Sequence, residues 1–172
     1  MVAGDKSKRK EIETAYDIRA DVGQIAQTVK KKGVKGLEKM KIKLGVPIQP
    51  ALAQRLPTAE KIAEKVGKMA VEPKYDGTRL QIHYSQKRKW EDKENQLDLG
   101  FKPQYYIRTF TRNLEDNTEM FPDLVEAIPK ELKIKEAILD CEAIGYDPQS
   151  GKFLPFQETI KRKRKYEVGE KA

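Results

Sequence analysis

The sequence predicts an α+β chain in which helices come first and an antiparallel sheet follows. Three observations carry that expectation. Ile18, Val22, Ile25 and Val29 recur at spacings of four, three and four within Tyr16–Lys32, which places them on one helical stripe. Thr58 stands at a capping position ahead of Ile62, Ala63 and Val66, whose spacing shares a helical face and closes at Gly67. The period then falls to two. Leu80, Ile82 and Tyr84 alternate with Arg79, Gln81 and His83, Tyr105 and Ile107 open another alternating run, and Ala137 to Ile144 forms a third.

Taken in order, the first helix should end at Gly33, a residue suited to the position just past a helix. Lys30, Lys31 and Lys32 fall in its last turn, where the macrodipole favours cations; they admit either a phosphate contact or a solvated helix end. From Gly45 to Pro57 the chain carries Pro47, Pro50 and Pro57 and cannot be a long helix. A domain boundary is therefore expected just before it, dividing 1–41 from 42–172. Between the first two strands, 85–104 is polar, charged and without sustained period. A loop of that length is uncommon in a compact domain and reads as a mobile insertion or a binding loop. The stretch 161–165 is a block of five consecutive cations.

Composition excludes several classes. The 172 residues hold 35 Lys and Arg against 27 Asp and Glu, and the net charge of +8 suits a polyanionic partner such as nucleic acid. One cysteine and one histidine cannot build an intrachain disulfide, a Cys-based zinc site or the common metal-ligand spacings. No apolar run approaches the roughly 18–20 residues needed to span a bilayer, and the N-terminus lacks the apolar stretch of a signal peptide. The expectation is a soluble, intracellular (cytoplasmic) protein that does not enter a membrane.

Candidate chemistry gathers in Glu72-Pro73-Lys74-Tyr75-Asp76-Gly77-Thr78-Arg79, where Asp-Gly reads as a turn signal. A lysine before a turn is ordinary by itself. It becomes a nucleophile only when its amine is neutral at the moment of attack, which needs burial or neighbouring cations. Arg79 is such a cation; Asp76 acts in the opposite sense and would instead orient the amine or take part in metal or proton traffic. In the third strand, period two puts Leu139, Cys141 and Ala143 on the core face and projects Asp140 and Glu142 from the other. Two adjacent carboxylates repel unless something lies between them. A magnesium ion, ribose hydroxyls, or a lysine or arginine from a neighbouring strand would each answer. Cys141 reads as a small apolar residue, and His83 takes no catalytic role.

These residues carry a resemblance. Glu72 to Arg79 with its following strand resembles the nucleotide-binding lysine motif of the covalent nucleotidyltransferases: ATP-dependent DNA ligases, RNA ligases and capping enzymes. Phe110 to Thr118, Ile138 to Ala143, and Leu154 to Gln157 leading into Lys161 to Lys165 narrow it to DNA ligases of archaeal and eukaryotic type. Ala15 to Gly23 and Pro47 to Arg55 resemble the end of the helical DNA-binding domain and the start of the adenylation domain of archaeal enzymes. The resemblance thus implies a helical N-terminal segment (1–41) followed by the N-terminal half of an antiparallel-sheet adenylation domain (42–172), of ATP-grasp-like DNA ligase type.

Position by position, it implies that Lys74 attacks the α-phosphate of ATP and carries AMP as a phosphoramide, with Asp76 beside it in the catalytic motif. Glu72 would read the adenine amino group, Arg79 and Arg112 would lie near ribose and phosphates, and Glu142 would stand beside the ribose and a Mg2+ ion. Arg162 and Arg164 would contact DNA phosphates. The family's three steps are adenylation of the enzyme, transfer of AMP to a 5′-phosphate at a nick in duplex DNA, and attack by the 3′-hydroxyl, serving replication, repair and recombination. A monomer is expected, with a sliding clamp as partner of the fuller protein. Two departures stand out: the charged insertion near 86–104, and Cys141 where many relatives have glycine. The family's later adenine-stacking aromatic, second metal-site glutamate, paired lysines and C-terminal oligonucleotide-binding domain have no counterpart here. The expectation is an internal fragment with little or no ligation activity. The alternatives are an RNA ligase or capping-type nucleotidyltransferase and, from another class, a non-enzymatic basic DNA-binding module.

Overall fold

The structure is a computed structural model, and it describes residues 4–89, 99 and 103–161. A 3₁₀ turn at Lys6–Lys8 leads into α1 (Arg9–Ile18), α2 (Val22–Lys32) and a second 3₁₀ stretch at Val34–Lys39. After α3 (Ala59–Val66) come β1 (Thr78–Lys89), β2 (Tyr105–Phe110), a 3₁₀ turn at Thr118–Met120, α4 (Pro122–Glu131) and β3 (Glu136–Ala143). A short hairpin, β4 (Tyr146–Asp147) and β5 (Lys152–Phe153), and α5 (Phe156–Ile160) complete the described chain. None of the helices among the described residues is long and apolar enough to cross a membrane.

The stripe from Tyr16 to Lys32 is not one helix. The chain leaves helical geometry at Arg19, and the Asp21 carboxylate accepts a hydrogen bond from the Gln24 N–H at 2.9 Å, capping a fresh start at Val22. The break turns α2 back so that Ile25 and Val29 pack with Ala15 and Leu37 in a small core, while Val22 is left 61% exposed. Gly33, at φ 67°, ends α2 as its sequence suggests, and its N–H reaches the Val29 carbonyl. The Thr58 cap and the stop at Gly67 also stand, with Thr58 Oγ1 accepting from Lys61 N–H at 3.3 Å. Ile62 and Val66 nonetheless remain exposed among the described residues.

The three alternating runs form one antiparallel sheet in the order β2-β1-β3. The register sets Leu80 against Cys141, Ile82 against Leu139 and Tyr84 against Ile107, so one face carries the apolar set. That face packs on Phe121, Val125 and Ile128 of α4 and its approach, with Leu99, as the principal core. The opposite face is buried as well at Gln81 and His83, where residues 45–48 lie on it. Gln81 Oε1 accepts from Ile48 N–H at 2.7 Å, and Gln81 Nε2 donates to the Ile48 carbonyl at 3.3 Å. Gly45 N–H donates to His83 Nδ1 at 3.0 Å, which leaves the ring proton on Nε2, 3.0 Å from Gln81 Oε1. His83 is fully buried, and desolvation lowers its pKa to about 4.

Candidate active site

The site is built by three stretches that the sheet brings together. Residues 71–76 run without regular structure to the start of β1, and Gly77 forms the bend. Asp76-Gly77 is therefore not a hairpin turn, as its sequence suggested; it precedes β1, whose partners are β2 and β3. Gly77 is required by proximity. A Cβ there would lie 2.3 Å from the Ala143 carbonyl oxygen and 3.0 Å from Glu142 Cγ. Its N–H donates to Glu142 Oε1 at 3.2 Å, tying the bend to the carboxylate face at the end of β3.

The pair of carboxylates on β3 divides its partners. Antiparallel register sets Arg79 opposite Glu142, and the Arg79 guanidinium reaches diagonally to Asp140, Nη2 to Oδ2 at 2.7 Å. Of the alternatives raised by the sequence, an arginine from the neighbouring strand answers Asp140, and a backbone N–H answers Glu142. Between them Cys141 points to the core face, its thiol donating to the Leu80 carbonyl at 3.4 Å. Burial, followed by the charges of Asp140 and Glu142, raises its pKa.

Arg112 comes from a tight turn after β2. Thr111 N–H donates to the Glu115 carbonyl at 2.8 Å, Thr111 Oγ1 accepts from the N–H groups of Asn113 and Glu115, and Leu114 takes φ 68°. A β-carbon residue in the left-handed region is strained, and here the surrounding bonds hold it. Below the turn, Thr109 Oγ1 donates to Asn117 Oδ1 at 2.8 Å and Thr109 N–H to Thr118 Oγ1 at 3.0 Å, all three residues being buried. Asp116 closes the set by pairing with Arg108 at 2.7 Å.

Glu72, Lys74, Asp76, Arg79, Arg112 and Glu142 line a single cleft of about 830 Å³, together with Asp140, Glu115 and Phe156. All six residues assigned to this region from sequence are thus in one place. Arg162 and Arg164 lie outside the described residues. Sequence reasoning missed the Thr109–Asn117–Thr118 staple and the place of Phe156 in the lining, though Asn117, Thr118 and Phe156 fall within stretches that carried the family resemblance. The lining holds three cations and five carboxylates, a surplus of negative charge. No group of three or more metal-ligating side chains occurs among the described residues.

Comparison with known proteins addresses what such a cleft belongs to. Residues 101–172 match the family model of the ATP dependent DNA ligase domain. Over 166 residues, 96% of its length, the chain is 46% identical to a probable DNA ligase of Dictyoglomus turgidum and 42% identical to DNA ligase 2 of Korarchaeum cryptofilum. It is 41% identical over 168 residues to a DNA ligase of Saccharolobus solfataricus. Over nearly its whole length the chain is thus similar to DNA ligases. The chain spans about a quarter of the length of each of these relatives, 25% in all three. Its helices followed by a sheet agree with the adenylation-type architecture expected of the family.

Proposed function

We propose that the chain performs the first step of ATP-dependent DNA ligation, with Lys74 as the nucleophile. The observation that carries this reading is the convergence of Lys74, Glu72, Arg79, Arg112 and Glu142, drawn from three separate stretches, on one cleft. In the step itself, the neutral Nζ of Lys74 attacks the α-phosphorus of ATP. A P–N bond forms, the bond to the bridging oxygen breaks, pyrophosphate leaves, and the amine proton passes to solvent. Glu72, an acceptor without a donor when ionised, suits the adenine amino group. Arg79 and Arg112 present guanidinium forks to ribose and phosphate oxygens, and the Asp140 contact fixes the Arg79 fork in place. Asp76 shares the lining with Lys74 and would orient its amine.

The fit to magnesium follows from the donor set. A cleft with more carboxylates than cations disfavours a bare polyphosphate, and with no three-residue cage among the described residues the ion would arrive with the phosphates. Glu142 would hold it, a reading supported by its carboxylate, of which Oε1 takes a backbone N–H. When bound, the ion neutralises phosphate charge. The later steps, in which AMP passes to a 5′-phosphate at a nick in duplex DNA and the 3′-hydroxyl seals it, belong to the longer protein of which the relatives are examples. The high net charge of +8 supports a DNA partner.

The test is incubation of the chain with α-labelled ATP and Mg2+, followed by denaturing electrophoresis and peptide mapping. An acid-labile label on Lys74, absent in Lys74→Ala at unchanged melting temperature, is the expected result. Label retained in Lys74→Ala would remove it as the nucleophile.

A further inference from the structure

Three aromatic side chains stand together beside the cleft, each about half exposed: Tyr75, Tyr146 and Phe153 at 47%, 57% and 64%. Phe153 is the middle member. Its ring meets Tyr75 edge to face, centroids 5.9 Å apart at 79°, and meets Tyr146 at 6.2 Å and 62°. Tyr75 directly follows Lys74. The 71–76 stretch has no regular structure, and Lys74 makes no hydrogen bond or ion pair with any described residue. Fixed points on this stretch are the Gly77–Glu142 bond on its far side and the Tyr75–Phe153 contact.

The hairpin that presents Phe153 is itself well tied. The Asp147 carboxylate accepts from Gln149 N–H at 2.9 Å and from the Ser150 hydroxyl, and Gly151, at φ 68°, donates its N–H to the Asp147 carbonyl at 2.9 Å. Leu154 N–H donates to the Gly145 carbonyl at 2.7 Å, closing the base of the hairpin two residues past the end of β3. The hairpin, closed by its own bonds and joined to β3 through residues 144–145, brings Phe153 against the stretch that bears the lysine.

We propose that Phe153 is a positioning residue which, by clasping Tyr75, holds the adjacent Lys74 amine in the cleft. The proposal rests on the reading of Lys74 as nucleophile. An edge-to-face aromatic pair shifts a local equilibrium by roughly two- to tenfold. Attack by a tethered amine depends on alignment, so misplacement by about 1 Å costs up to roughly a hundredfold in rate. A clasp next to the reacting residue therefore acts on rate more than on nucleotide affinity.

Two measurements on the chain test this in parent, Phe153→Ala and Phe153→Tyr forms. The first is backbone 15N relaxation of Lys74, Tyr75 and Asp76. Order parameters near the rigid value of about 0.85 should fall below about 0.6 in Phe153→Ala, return in Phe153→Tyr, and stay unchanged in β1 and β3. The second is single-turnover labelling by ATP, whose rate should fall roughly tenfold in Phe153→Ala, with half-saturating ATP unchanged, and recover in Phe153→Tyr. Order parameters of 74–76 unmoved by Phe153→Ala would overturn the proposal. So would an ordered loop with weakened binding of nicked duplex, since the trio would then be a stacking surface for nucleic acid. A parent chain that takes no label at any ATP concentration would count against the nucleophile, while the relaxation arm would still decide the clasp.

Discussion

At the residue level, the proposed site separates groups that recognise from groups that react by their hydrogen-bonding inventory. Glu72 as a carboxylate only accepts, which matches an amino group and opposes a carbonyl. In Glu72→Gln the amide can also donate, so discrimination for ATP over GTP should weaken, by roughly tenfold or more if the carboxylate makes a direct contact. Competition labelling with the two nucleotides measures it; an unchanged ratio would take Glu72 out of base reading. Period two was sufficient to put Asp140 and Glu142 on one face. It could not say which neighbour would answer them, because that depends on β1 lying beside β3 rather than on anything local to either strand. Gly77 was misread for a related reason: a glycine that frees a turn and one that admits a neighbouring backbone look alike until the Ala143 carbonyl is seen 2.3 Å from the missing Cβ.

Among the elements, helix ends decided where sequence periodicity succeeded. Ile18 and Val22 are four apart, and their spacing reads as continuous helix. Asp21 offers its carboxylate to the Gln24 N–H in the first turn of α2, and that local bond wins over propagation through Arg19 and Ala20. Asp21→Ala should therefore cost about 1 kcal/mol, seen as a lower urea midpoint with an unchanged slope. A null effect would mean that packing of Ile25 and Val29 alone fixes the start of α2. Thr58 and Gly67 bounded α3 correctly because both signals are local. Whether its apolar face is buried is a tertiary matter, and Ile62 and Val66 remain exposed among the described residues. Helix α4 escaped the sequence reading since Pro122 and Pro129 sit within it, although Pro122 at the first turn gives up no hydrogen bond.

Across the whole molecule, two apolar cores, one among the helices and one between the sheet and α4, are linked by residues 45–48 lying on the back of the sheet. Charge adds a longer-range property: if Arg162 and Arg164 contact DNA phosphates, replacing both with Ala should shrink the slope of log affinity against log salt by about 0.9 for each phosphate no longer neutralised. An unaltered slope would place the DNA path elsewhere. The link at residues 45–48 makes stability depend on pH. Neutral His83 accepts from Gly45 N–H and donates to Gln81 Oε1, with Phe110 edge-on at a centroid distance of 4.9 Å. Opposite it in register is Arg108, whose charge is paired with Asp116, and among the described residues no carboxylate offsets the desolvation of the ring. Protonating Nδ1 would replace an acceptor with a donor facing the Gly45 N–H. With a folded pKa of about 4 against 6.5 for the free side chain, the unfolded chain binds a proton between these values that the folded chain refuses. The contribution is therefore complete above pH 6.5 and is lost as pH falls towards 4, by about 3 kcal/mol at most. Urea unfolding of parent and His83→Gln at about pH 7, 5.5 and 4.5 should show the parent's advantage narrowing as pH falls, because glutamine does not titrate. Parallel curves would mean that the ring is protonated without cost and that residues 45–48 are held by Gln81 alone.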